Sequence, residues 1–244
     1  MRIIRLLFLI IWALIFISEA SAQNKSWVIP SPDKKINFKV FEKADRLYYQ
    51  VGFPDTLIIC ESPLGIARSD EQFIEKLSFI SASKPRHISE NYTMQVGKQL
   101  KCTYQANELI LSFENDHKAK VDLLLRASNE GIAFRYRFPE TGTGGYEVTK
   151  EVSGFNMSKS LRTWIQPYDS ITRYSPGYER YYTNGSPVGE TSPEYGGWCL
   201  GALFQASNGW VLLTEADLDG TYCGSRLHQN ASGSLLYTSD AADE

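Results

Sequence analysis

The chain has 244 residues, 13% of them aromatic, and a formal net charge of −3. A balance this close to neutrality leaves no electrostatic case for binding nucleic acid or an anionic membrane surface. Between its two unusual ends, about 210 residues suffice for one large domain or at most two small ones.

Arg2 and Arg5 precede an uncharged apolar run, Leu6 to Ile17, and then Ala20-Ser21-Ala22. That pattern predicts a signal peptide over 1–22, too short for a comfortable membrane span. The mature chain would start near Gln23, and the expected location is periplasmic or secreted. Ile36, Phe38 and Val40 then alternate with polar neighbours, as do Leu47, Tyr49, Val51 and Phe53, with Lys43-Ala44-Asp45 a tight reversal between them. Thr56 to Cys60 predicts a short apolar strand closed by Ser62-Pro63-Leu64-Gly65, and only Glu71 to Phe79 offers helical spacing. Leu109, Leu111 and Phe113 form another alternating run.

The strongest local pattern lies between Leu123 and Pro139. Val121, Leu123, Leu125 and Ala127 share one face, and Ile132, Phe134, Tyr136 and Phe138 share another. A period of two with aromatic and branched residues marks half-buried strands. Their linker, Ser128-Asn129-Glu130-Gly131, ends in a residue that tolerates positive φ, which predicts an antiparallel hairpin. Leu200 to Phe204 and Trp210 to Leu213 flank Ser207-Asn208-Gly209, a second hairpin signal. Short strands with turn signals every ~8–12 residues imply an all-β sandwich or barrel, with no domain boundary over 23–233. Residues 234–244, SLLYTSDAADE, resemble the translated read-through of a transposon sequencing adapter and are expected to be a non-native tail.

The four cysteines, Cys60, Cys102, Cys199 and Cys223, lack metal-like spacing. Export permits a disulfide; Cys199 with Cys223 is the first pair to test. Three pairings remain open, and so does the reading as small buried hydrophobes.

Five segments together carry a family resemblance. The 123–139 hairpin resembles the "R…NDG.AFRY.FP" segment of the N-terminal domain of glycoside hydrolase family 97. Ser31-Pro32-Asp33 is similar to its "SPD", Glu61-Ser62-Pro63-Leu64-Gly65-Ile66 to its "SPLGL" turn, and Leu213 to Leu218 to its "I.EADL". Trp164-Ile165-Gln166-Pro167, followed by Tyr178-Glu179-Arg180-Tyr181-Tyr182, resembles its "W…P…YE..Y" region.

The resemblance implies a β-super-sandwich like that of galactose-mutarotase-like domains. That domain would occupy 23–233 and be incomplete, missing its last strands. In the family it precedes a (β/α)8 barrel, and that barrel is absent from this chain. The implied function is the N-terminal module of an exported, calcium-dependent α-glucosidase or α-galactosidase acting on oligosaccharides, inactive alone because the barrel supplies the catalytic carboxylates. The implied partners are a carbohydrate substrate and the barrel itself. Glu179, the glutamate of "YE..Y", would reach the active-site calcium, a hard cation that takes ~6–8 oxygen ligands. No catalytic residue is assigned here, and the substrate-binding residues stay unassigned.

Other carboxylates are weaker candidates. Glu215 and Asp217, two apart at a strand end, suit a second metal site or, more simply, a structural polar pair. Glu190 and Glu194 fall in the loop from Gly189 to Gly197 and read as solvated. His87, His117 and His228 have no ligand spacing. The alternative function is a free-standing carbohydrate-binding sandwich that stacks Trp164, Trp198 and nearby tyrosines on pyranose rings.

Overall fold

The computed structural model describes residues 25–140, 145–169, 180–194, 196–206, 209–222, 224–229 and 235–238. The predicted leader, Glu179, Cys223 and the rest of the tail lie outside the described residues. Every regular element among those described is a strand, as the all-β reading expected. No helix among them is long and apolar enough to cross a membrane.

The strands β1 (Ser26–Pro30), β2 (Asn37–Lys43), β3 (Arg46–Phe53) and β4 (Thr56–Leu64) form one antiparallel sheet in that order. Next come β5 (Ile66–Arg68), β6 (Gln72–Phe73), β7 (Ser78–Ala82), β8 (Arg86–Thr93), β9 (Lys101–Glu114), β10 (Lys120–Ser128) and β11 (Ile132–Arg137). A second sheet runs β11-β10-β9-β7, with β8 also on β9. Strand β12 (Val148–Glu151) joins β5 and β6 in a small third sheet. The remaining strands are β13 (Gly154–Phe155), β14 (Arg162–Trp164), β15 (Ser186–Pro187), β16 (Trp198–Cys199), β17 (Ala202–Ala206), β18 (Gly209–Leu213), β19 (Arg226–Gln229) and β20 (Leu235–Thr238). They make two further sheets, β13-β20-β19-β16 and β15-β14-β17-β18.

Alternation explains the layering. Phe38, Val40 and Tyr49 point inward from the first sheet, Leu111, Leu123 and Leu125 from the second, and all six join one buried cluster. Rings cross between the sheets, Tyr49 to Phe134 at 5.5 Å and Trp27 to Phe113 at 5.7 Å. Burying a chain of such side chains contributes ~1.5–3 kcal/mol for each one, which makes this interface the main source of stability.

Several local expectations change on contact with the fold. The stretch from Glu71 to Phe79 forms no helix but contributes to β6 and β7, where Phe73 is 1% exposed. Tertiary burial outweighs so short a helical pattern. Strand β4 runs on through Ser62-Pro63-Leu64 instead of ending at Cys60, and β1 precedes Ser31-Pro32-Asp33. The 128–131 turn does not use a left-handed glycine. Ser128 Oγ instead accepts from the Gly131 and Glu130 amides at 3.1 and 3.3 Å, and the Ser128 amide donates to the Gly131 carbonyl. The reversal at Ala44-Asp45 does require the left-handed region, with φ of 49° and 60°, as a two-residue hairpin turn demands.

Candidate functional site

The resemblance directs attention to the end of β14, where the chain leaves for 170–179 and returns. The two flanks of that segment are laced together. Ile165 donates its amide to Thr183 Oγ1 at 3.0 Å, and Thr183 donates its own to the Ile165 carbonyl at 2.9 Å. The Gln166 side-chain amide donates to the Arg180 carbonyl at 2.6 Å. Arg180 itself spans two acids, with Nε 2.9 Å from Asp169 and Nη2 2.9 Å from Glu194. The Cys199 and Tyr168 amides complete the frame, donating to Gln166 and Gly197 at 2.9 Å. These bonds join the chain before 170 to the chain after 179.

Glu179 itself lies outside the described residues; its neighbour Arg180 is the nearest described group. Glu194 is engaged by Arg180, not merely solvated. Glu190 is exposed at the rim of a shallow cleft with Thr163, Ile165, Val188 and Trp198. Among the described residues no three His, Cys, Asp or Glu side chains are grouped as a metal would need. With Asp169 and Glu194 already committed to a guanidinium, the described residues do not form a calcium shell. Such a shell would need oxygens from elsewhere.

Glu215 and Asp217 have different surroundings. Asp217 bonds Arg135 of β11 at 3.0 Å, while Glu215 adds its charge near Glu151. Glu151 is a group that sequence patterning missed. Burial pushes its carboxyl up to about 7; a Ser153 hydrogen bond opposes that rise and the Glu215 charge adds to it. Two carboxylates in unlike environments are a recurring acid–base arrangement, but such shifts also occur in structural networks. Here the neighbours, Tyr136 and Ser153 bonded at 2.8 Å, are packed between the motifs, which favours a structural role.

Trp198 does not serve as a sugar platform: it is 2% exposed and belongs to the core. Trp164 is half-buried and donates its indole N–H to Asn184 at 3.0 Å. Cys60, Cys102 and Cys199 are free thiols; Cys199 donates to the Pro167 carbonyl at 3.6 Å and burial pushes it up to about 11. His117 and His87 bond Glu71 and Asn107 at 3.1 and 3.2 Å.

The sequence pattern of a family described as glycosyl-hydrolase 97 N-terminal matches residues 29–242. A protein of Streptomyces bingchenggensis (strain BCW-1) named a probable retaining alpha-galactosidase is 27% identical over 218 residues, covering 88% of this chain and 32% of that protein. The crystal structure of a beta-arabinopyranosidase aligns at 30% identity with a TM-score of 0.79, over 87% of this chain and 35% of the other. A glycoside hydrolase family 97 enzyme from Pseudoalteromonas sp. strain K8, in complex with acarbose, aligns with a TM-score of 0.71 at 19% identity, over 86% of this chain and 31% of the other. The chain thus spans about a third of the length of the proteins it resembles.

Proposed function

The chain belongs to the glycosyl-hydrolase 97 N-terminal family, and from that premise we propose that it is the N-terminal module of an exported α-glycosidase acting on α-glucosidic or α-galactosidic oligosaccharides. The observation that supports this reading is the family match over nearly the whole domain, in a chain spanning a third of its relatives. Hydrolysis of a glycosidic bond needs two carboxyl groups ~5–9 Å apart across it. Asp169 and Glu194, the two acids that meet near this site, are both paired with Arg180, and this reading assigns the hydrolytic carboxylates to the part of the relatives' length that this chain does not span. In this reading the module's part is to hold the two flanks of 170–179 together through the Gln166–Arg180 and Arg180–Asp169 bonds. Glu179 would then be one of the residues to hold a calcium ion, a hard cation that takes several oxygen ligands.

The test compares the 244-residue chain with the same chain joined to a family barrel, using aryl α-glucosides and α-galactosides with calcium. The joined protein should turn over one substrate class and the chain alone neither. Calorimetric calcium titration of the joined protein should weaken on Glu179→Gln, which removes one negative charge at nearly constant volume. Turnover by the chain alone, lost on mutating one of its own residues, would refute the reading. Unchanged calcium affinity in Glu179→Gln would refute the ligand assignment.

A further inference from the structure

The sheet β15-β14-β17-β18 has two chemically distinct faces. Thr163, Phe204 and Val211 lie opposite one another and turn inward, with Phe204 fully buried. The intervening residues form two outward rows, Trp164-Leu203-Leu212 and Arg162-Gln205-Trp210. A half-buried strand normally turns polar residues outward. Here two indoles and two leucines occupy that face, with Trp210 55% and Leu212 57% exposed.

The tryptophans meet diagonally across Leu203 and Gln205. Their ring centroids are 4.9 Å apart and their planes differ by 60°, so together they form an angled aromatic surface. Planar polar groups border it. Asn184 accepts from the Trp164 indole at 3.0 Å, Gln205 stands exposed between the rings' strands, and Arg162 donates to the Gly185 carbonyl at 3.4 Å. Gly185, at φ 73°, lies beside the Trp164 ring, which a Cβ added there would touch at 3.5 Å. The outward rows contain no carboxylate, which disfavours a cationic partner.

We propose that this face is a sugar-binding surface of the module itself, with Trp210 and Trp164 stacking against the C–H face of a pyranose. Gln205, Asn184 and Arg162 then meet its hydroxyls. A pyranose presents an apolar ring face edged with hydroxyl groups, and that mixture matches indole faces edged with amides and a guanidinium. The neutral, polyhydroxylated ligand also fits these two outward rows, in which Arg162 is the one charged side chain among the described residues. Occupancy of this site requires no hydrolysis, so binding and turnover are independent readouts.

The experiment is calorimetric titration of the 244-residue chain with maltotriose and, separately, raffinose. Saturable binding of at least one is expected. Trp210→Ala should weaken it at least ~10-fold, as loss of a central aromatic anchor does. Trp210→Phe should keep part of the affinity, and Tyr92→Ala, an exposed aromatic on the distant β8 strand, should keep all of it. Gln205→Ala, which removes only an exposed amide, should also weaken binding and provides the measurement if Trp210→Ala unfolds. Absence of binding by the unmodified chain would overturn the proposal, as would unchanged affinity in Trp210→Ala. Sedimentation of the same samples distinguishes the competing occupant. A dimer that Trp210→Ala splits into monomers, without sugar binding, would make this a self-association face and also overturn the proposal.

Discussion

The Gly65 amide donates to the phenol oxygen of Tyr136 at 2.7 Å, across 71 positions of sequence. The bond ties the end of β4, Ser62-Pro63-Leu64-Gly65, to the β10–β11 hairpin, and two further bonds link the hairpin to other motif segments. The Asp33 amide donates to Asn129 Oδ1 in the hairpin turn at 2.9 Å, and Arg135 of the hairpin bonds Asp217. Four of the five segments that carry the family resemblance therefore meet at this hairpin. Their residue identities follow from that convergence. Gly65 is a glycine because a Cβ there would lie 2.8 Å from Val152 Cγ2 and 3.1 Å from the Ile74 Cα.

Tyr136→Phe should leave the buried Gly65 amide without its acceptor and lower stability by about 1–3 kcal/mol in urea unfolding. Gly65→Ala should cost a similar amount, about 1–3 kcal/mol, by forcing β5 away from β12. The double variant should fall short of the sum, because both changes break the same contact. Full additivity would show that the end of β4 and the hairpin are energetically independent.

Arg68 should be the most sensitive cation among the described residues. It is 5% exposed, its guanidinium lies 3.8 Å from the Tyr146 ring centroid and 4.6 Å from that of Phe138, and it bonds Asp70 twice at 2.8 Å. Arg68→Ala should destabilise by about 3 kcal/mol through lost packing as well as lost charge. Arg68→Lys should recover less than half, since an ammonium neither forks nor stacks as a guanidinium does. Denaturant midpoints for both variants check the order.

Glu151 should give the fold a pH dependence near neutrality. Its folded-state carboxyl is raised by burial from the ordinary 4.5 to about 7, so the folded state holds the proton more tightly than the unfolded chain. That contribution is complete below about pH 4.5 and is lost as pH rises through about 7. Glu151→Gln should therefore be more stable than the unmodified chain at pH 8, by roughly 1–3 kcal/mol, and nearly equal to it at pH 4. Urea midpoints measured from pH 4 to 8 test this; parallel curves for the two proteins would rule it out.

Trp198→Ala should act on folding and leave sugar binding to the surviving protein unchanged. A fully buried indole whose backbone pairs with Leu227 leaves a large cavity when removed, costing about 3–5 kcal/mol. Thermal unfolding measures the loss, and it contrasts with Trp210→Ala, where little stability should change.

The strands were readable from the chain alone because alternation is local. Residues two apart share a face whatever lies opposite them, so Leu123, Leu125 and Phe134 reported their burial directly, and the ordered motifs reported the family. Partnership across the fold has no such local trace. Glu71 to Phe79 carried a helical spacing, yet Phe73 found its place in a sheet because tertiary burial outweighed a weak propensity. Trp164 and Trp198 look alike as residues, but one lies on an outer row and the other in the core, because their strands meet different neighbours. Glu151 acquired its raised carboxyl from desolvation and from Glu215, 64 positions away. Desolvation and field are properties of three-dimensional surroundings, so only the assembled sheets decided which carboxylates carry a proton, which arginines are caged and which indoles face outward.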